Sequence, residues 1–128
     1  MPATWQTVAV ILAELPGTRS DPPPGMPRVR VHGKPVAYLA GNERSRPSGA
    51  ADDEEFVVVR IDYGERQALL AQDPDTFFVP AHYQTYPGVI VRLASVDPAQ
   101  LRELLTDAWR LVAPKRLVRE YDVGARDR

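Results

Sequence analysis

Apolar residues recur with two different periods along the chain, and the periods separate predicted helices from predicted strands. Between residues 5 and 15 they return every three or four positions, which predicts a first helix. Thr4 is its expected N-cap, and Pro16-Gly17 ends it. Residues 18–26 (TRSDPPPGM) have no period and predict a stiff, proline-rich connector.

Strict alternation predicts the first strand, and a run of β-branched residues, FVVVRI, predicts the third. In PRVRVH, Val29 and Val31 face one way, and Arg28, Arg30 and His32 face the other. Gly33-Lys34 is the expected turn of a hairpin. The predicted strands cover residues 27–32, 36–40, 56–61, 76–79 and 89–94. The polar stretch 41–55 between the second and third strands predicts a mobile surface loop whose carboxylates are solvated.

Two more helices carry recognisable start signals. Asp62 with Glu65 three residues later predicts a helix that ends near Asp73-Pro74. Asp97 followed by proline predicts a last helix that ends at Pro114. The order is α-β-β-β-α-β-β-α, which favours a single α+β domain over residues 1–118 with a mostly antiparallel sheet. Residues 119–128 are predicted as a charged C-terminal tail.

Composition removes several classes of protein. The chain has 128 residues, no cysteine and a formal net charge of −1. Disulfides and zinc–cysteine sites are therefore excluded. We expect no membrane span, no cofactor and a cytoplasmic location. The two histidines, His32 and His82, have no ligand partners at helical spacing, so no metal site is predicted.

The distribution of charge is more informative than its sum. Residues 27–40 and 110–119 contain basic side chains and no acid. The candidate phosphate contacts in and beside these segments are Arg28, Arg30, Lys34, Lys115 and Arg116. Arg60 and Arg92 join them if their strands present the same face of the sheet. The ordinary alternative is a solvated polar face, which the near-neutral charge favours.

The loop PAHYQTYPG is the other candidate site. His82, Tyr83 and Tyr86 lie on a loop longer than a tight hairpin needs. These rings stack on a base or ligand, or they pack as a small cluster under the loop, and the sequence leaves both open.

Two stretches carry a resemblance to a known family. DPDTFFVPAHYQTYPGVIVRL and VDPAQLRELLTDAWRLVAPKRL, together with the VRVHGKPVAYL hairpin, resemble the MmcQ/YjbR family of small bacterial proteins. The resemblance implies an α+β fold similar to secretion chaperones and to the "double wing" domain of the phage factor MotA. It implies DNA binding by analogy of fold, and no catalytic residues are carried over.

Three hypotheses follow. The first is a DNA-binding protein without catalysis, held by weak phosphate contacts. The second is a protein- or peptide-binding module, as a homodimer or a chaperone-like protein, that uses the sheet face. The third is a small-molecule site around His82 and Tyr83.

Overall fold

The computed structural model describes residues 2–21, 24–41, 46–47 and 49–126. The helices of this part of the chain are α1 (Trp5–Ala13), α2 (Tyr63–Gln72), α3 (Pro98–Val112) and α4 (Lys115–Arg126). The strands are β1 (Thr18–Ser20), β2 (Arg28–Val31), β3 (Lys34–Leu39), β4 (Phe56–Arg60), β5 (Phe77–Phe78) and β6 (Gly88–Arg92). A single 3-10 turn, Ala81–Tyr83, lies between β5 and β6. The predicted α+β class is confirmed.

The strands form one six-stranded antiparallel sheet in the order β1-β2-β3-β4-β6-β5. Alternate residues of each strand face opposite sides. One side, the core face, is packed against α1 and α3 and carries the buried residues Val29, Val31, Val57, Val59, Val89 and Val91. The other side, the outer face, carries a row that pairs across five strands: Arg28, Tyr38, Val58, Ile90 and Phe78.

Trp109 of α3 is the largest side chain of the core and is fully buried. Its indole N–H donates to the carbonyl oxygen of Pro16 at 2.9 Å, so the polar edge of the ring is satisfied. α3 begins where the sequence predicts, because the carboxylate of Asp97 accepts the N–H of Gln100 at 3.1 Å. The predicted caps of α1 and α2 are also present, with Thr4 accepting from Thr7 and Asp62 from Glu65.

Two segments differ from the sequence prediction. Part of the predicted connector, Thr18–Ser20, is an edge strand that pairs with β2. Three residues are too few to show alternation, so this strand exists only through its partner. The segment from Lys115 onward is helical to Arg126, with Leu117 and Tyr121 packed against the core. Its helix crosses the predicted boundary at residue 118, because tertiary contact favours helix in a sequence dominated by charge.

The predicted mobile loop 41–55 falls partly outside the described residues, which omit 42–45 and 48. Its described part is hydrogen-bonded. The guanidinium of Arg46 donates to the carbonyl oxygens of Glu54 (2.7 Å) and Ala51. The Glu55 carboxylate accepts the N–H of Trp5 at 3.0 Å. Two of the carboxylates predicted to be solvated are therefore half-buried structural residues, since Glu54 is also ion-paired.

None of the described helices is long and apolar enough to cross a membrane.

Candidate functional site

Four arginines from the strands β2, β4 and β6 lie on the outer face. Arg28 and Arg30 of β2, Arg60 of β4 and Arg92 of β6 each alternate with residues buried on the core face. They therefore project to the same side of the sheet. The condition under which Arg60 and Arg92 join the predicted basic face is met.

The β2–β3 hairpin determines which side chain of β3 lies on the outer face. The turn is centred on His32 and Gly33, with φ of 49° and 80°, rather than on Gly33-Lys34 as predicted. His32 therefore leaves the alternation that placed it beside Arg30. An irregularity in the pairing puts both Val36 and Ala37 on the core face. This bulge shifts the alternation by one residue and turns Tyr38 to the outer face, opposite Arg28.

The basic charges of the outer face are only partly neutralised. Arg28 and Arg30 share one carboxylate, that of Asp21, at N–O distances of 3.3 and 3.1 Å. Arg92 pairs with Glu54 at 3.1 Å. Arg60 has neither an ion pair nor a hydrogen bond to the described residues, and its Nε is buried.

A further arginine extends this surface to the sheet edge. Arg19 of β1 is exposed and lies directly opposite Arg30 in the antiparallel register. Two like charges placed across a strand pair repel each other. Sequence analysis missed Arg19 because its segment has no alternation of its own; only its pairing with β2 assigns it a face.

The predicted phosphate contacts do not form one surface. Arg28 and Arg30 lie on the outer face, and Lys34 is exposed at the hairpin turn. Lys115 and Arg116 are exposed at the start of α4, whose Leu117 packs against the core on the helix side of the sheet. Leu117, Val31 and the His32 ring all lie against Gly17, so the second basic segment begins on the helix side of the sheet near the hairpin turn.

The tyrosines of the predicted loop meet Tyr38 above the outer face. The rings of Tyr38 and Tyr86 are 6.4 Å apart, and those of Tyr86 and Tyr83 are 5.7 Å apart, both edge to face. The hydroxyl of Tyr38 donates to that of Tyr83 at 3.1 Å. The exposed ring of His82 lies 4.6 Å from that of Tyr83. We call these four rings the aromatic ladder: Tyr38, Tyr86, Tyr83 and His82.

Burial raises the pKa of two phenols of the ladder, those of Tyr38 and Tyr86. Burial, reinforced by the hydrogen bond to Tyr83, raises the pKa of Tyr38 far above its ordinary value. Burial also raises the pKa of Tyr86, against the opposing effect of the Arg60 charge. Neutral phenols donate hydrogen bonds and offer ring surfaces, but they are not bases at neutral pH.

Arg66 of α2 holds the loop under the ladder, and sequence analysis missed it. It is 4% exposed. Its guanidinium donates to the carbonyl oxygens of Tyr86 (2.8 Å), Gln84 (2.9 Å) and Gly88 (3.2 Å). The available signal was its place in the apolar stripe of α2, three and four residues before Leu69 and Leu70.

The lack of a side chain at Gly88 leaves room for the Tyr86 ring. A Cβ at this position would lie 2.6 Å from Cε2 of Tyr86 and 3.3 Å from a methyl carbon of Val58. The absence of a side chain therefore lets the ring lie against the backbone at the start of β6. Gly88 is also the register partner of Arg60, so the same step of the sheet brings the ring and that guanidinium together.

No group of three or more His, Asp or Glu side chains in the described part of the chain is arranged to hold a metal ion.

Comparisons with known proteins agree on one family. A family model described as YjbR matches residues 13–111. The uncharacterized proteins Rv2570 of Mycobacterium tuberculosis and Mb2600 of Mycobacterium bovis are each 36% identical over 126 residues, covering 93% of this chain and 95% of the relative. The crystal structure of Deinococcus radiodurans protein DR2400, a DUF419 domain, has a TM-score of 0.69 at 19% identity, covering 91% of this chain and 86% of that one. This last likeness concerns the fold alone.

Proposed function

The chain belongs to the YjbR family, and from that premise we propose that it is a nucleic-acid-binding protein that acts without catalysis. The ligand contacts the outer face of the sheet through its phosphates. The observation that carries the proposal is the gathering of Arg19, Arg28, Arg30 and Arg60 on one face, with Asp21 as the carboxylate shared by two of them.

The pairing of these arginines favours an external anion. Arg19 and Arg30 face each other across β1 and β2, and the carboxylate beside them already serves Arg28 and Arg30. A phosphate placed between the strands relieves this repulsion and accepts charge-assisted hydrogen bonds. Arg60 offers a guanidinium with no carboxylate partner in the described structure, adjacent to the Tyr86 ring.

The proposal changes the predicted contact set. Arg28 and Arg30 stay in it, and Lys34 stays as the neighbouring charge at the hairpin turn. Arg19 and Arg60 are added. Lys115 and Arg116 leave it, since α4 packs on the helix side of the sheet.

The test is fluorescence anisotropy with a labelled DNA strand and its duplex at about 50 and about 200 mM salt. Phosphate-driven binding weakens steeply over this range. We expect the double variant Arg19→Ala, Arg30→Ala to weaken binding and to lower the salt slope on the single strand by about 1.4, or about 0.7 per lost contact. The matched control removes the same charge from the helix side through Lys115→Ala, Arg116→Ala, and we expect it to leave binding unchanged.

Two results would contradict the proposal. Absence of binding at tens of micromolar protein in low salt would remove nucleic acid as the ligand. Equal losses in the two double variants would mean that total charge, rather than the outer face, attracts the nucleic acid.

A protein-binding module is the second candidate, and one observation favours it. β1 is an edge strand of three residues. It pairs with β2 on one edge, and its other hydrogen-bonding edge has no partner strand among the described residues. An extended peptide or a second copy of the chain adds to such an edge through main-chain hydrogen bonds. Light scattering at high protein concentration tests the homodimer, which a monomeric mass would exclude.

A further inference from the structure

The outer face carries more than cations: its second component is a set of aromatic rings with a fixed arrangement. We propose that the aromatic ladder receives unpaired bases, so that the preferred ligand is single-stranded nucleic acid rather than a duplex. This inference rests on the proposed function and names the substrate class of the same surface.

The position of the ladder supports base stacking. Its three tyrosines are half-buried and pack against the cluster of buried residues that contains Val58 and Ile90. His82 continues the ladder into solvent, with its ring exposed on one side and in contact with Tyr83 on the other. Aromatic rings in such a position bind bases through their faces, and every base has such a face when it is unpaired.

Cations and rings are interleaved on this surface. Arg28 is the register partner of Tyr38, and Arg60 is the register partner of Gly88, on which the Tyr86 ring lies. The Arg60 charge acts on the Tyr86 phenol, whereas the Arg28 guanidinium is ion-paired with Asp21. A strand whose phosphates contact the arginines brings its bases to the rings, whereas a duplex keeps its bases stacked inside and offers the face only phosphates.

The rings are also held in place before any ligand binds. The hydroxyls of Tyr38 and Tyr83 are hydrogen-bonded, and the loop that carries Tyr83 and Tyr86 is anchored by Arg66 through three carbonyl oxygens. A rigid set of rings loses little conformational entropy on binding. The buried cation of Arg66 therefore acts as a positioning residue for the stacking surface.

The experiment compares three labelled probes of equal length by anisotropy at about 50 mM salt. They are a mixed-sequence DNA strand, its duplex, and a strand of abasic sites that has phosphates without bases. The same sequence as RNA is measured alongside, since both nucleic acids present unpaired bases. We expect the base-bearing strands to bind at least about fivefold more tightly than the duplex and the abasic strand, since stacking of one base contributes about 1–3 kcal/mol, or roughly 5- to 150-fold.

Variants then assign the preference to the ladder. His82→Ala removes an exposed ring, so the fold is retained, and we expect at least about a fivefold loss on the base-bearing strand with no change on the abasic one. The matched control, His32→Asn, removes the other imidazole at a position where φ is 49° and where asparagine is tolerated; we expect it to leave the ratio of strand to duplex affinity unchanged.

The outcomes distinguish a failure of this inference from a failure of the proposed function on which it rests. If no probe binds, the proposed function fails and the inference fails with it. If the strand, the duplex and the abasic strand bind equally and His82→Ala changes nothing, phosphate binding by the outer face stands and the aromatic ladder has no role as a base-binding surface.

Discussion

The two faces of the sheet are built from alternate residues of the same strands, yet they differ in chemistry and in what they are packed against. In β4, Val57 and Val59 face α3 and belong to an aliphatic core closed by Trp109. Phe56, Val58 and Arg60 face the other way, where the covering layer is made of tyrosines and guanidiniums. The core face is covered by whole helices, so it serves stability. The outer face is covered by side chains and by parts of two loops, one with Tyr83 and Tyr86 and one with Arg46 and Ala50.

The two faces also differ in how completely their buried polar groups are hydrogen-bonded. On the core side, the polar atom of Trp109 has a close partner. Beside the outer face, Arg66 is buried with carbonyl oxygens as its only hydrogen-bond acceptors in the described structure, and its Nε has none. Unsatisfied buried groups cost stability, and they are retained where a function or a required loop position depends on them. This comparison teaches that the two faces should respond differently to substitution.

The largest expected effect is on the core face. Trp109→Ala should lower the free energy of unfolding by about 3–5 kcal/mol, because it leaves a cavity and deprives the Pro16 carbonyl of its donor. Urea unfolding followed by circular dichroism measures it. Trp5→Ala is the control, since Trp5 is only partly buried at the edge of the same core and should cost less. Equal losses at both tryptophans would mean that the core is not centred on α3.

The next effect links the two faces at one residue. Gly88→Ala should lower the free energy of unfolding by about 1–3 kcal/mol, because the new Cβ meets the Tyr86 ring and the methyl group of Val58. The same variant should displace Tyr86 and reduce binding at the outer face. Gly124→Ala is the matched control: its Cβ meets nothing within 4 Å in helix α4, so it should stabilise by about 0.5–1 kcal/mol. A neutral Gly88→Ala would show that Tyr86 does not lie against β6.

The smallest effect is confined to the outer face and to alkaline pH. An unfolded tyrosine loses its proton near its ordinary pKa of about 10, whereas the raised pKa of Tyr38 keeps the folded phenol protonated. The unfolded chain therefore binds fewer protons above that pH, and the free energy of unfolding falls as pH rises. Below pH 10 the stability that depends on the protonated Tyr38 phenol is fully present. The Tyr38→Phe variant should lose stability less steeply above pH 10, as measured by urea unfolding at several pH values; identical slopes in the two proteins would contradict the burial of Tyr38.

Local signals were sufficient for much of the fold. The helix starts at Thr4, Asp62 and Asp97 depend on side-chain oxygens that accept a backbone N–H three residues later, so they are visible in the sequence itself. The alternation in β2 and the opposed residues of β6 are also local and correctly divide their residues between the two faces, whereas the apolar run of β4 has no alternation. The family resemblance drawn from the same residues is confirmed by the family match.

The candidate site was less accessible to sequence reasoning, for reasons that particular residues make clear. Arg28 and Arg30 were identified because they alternate within one strand. Arg19 was missed because its face is set by pairing with β2, and Tyr38 because a bulge at Val36 reverses the alternation of β3. Arg66 was missed because it is buried by a loop about twenty residues further along the chain, whose carbonyl oxygens accept its hydrogen bonds.

The sequence by itself determined α1, α2, α3 and most of the strands, the caps of those helices and the apolar side of β2, because these depend on spacings of two to four residues. The tertiary structure alone decided which charges share a surface. It packed α4, which begins with Lys115 and Arg116, against the helix side of the sheet, and it brought Arg60, Tyr38 and Tyr86 together from three parts of the chain. The physical reason is that a binding surface is defined by contacts between distant residues, and those contacts are fixed by sheet register and loop closure rather than by local pattern.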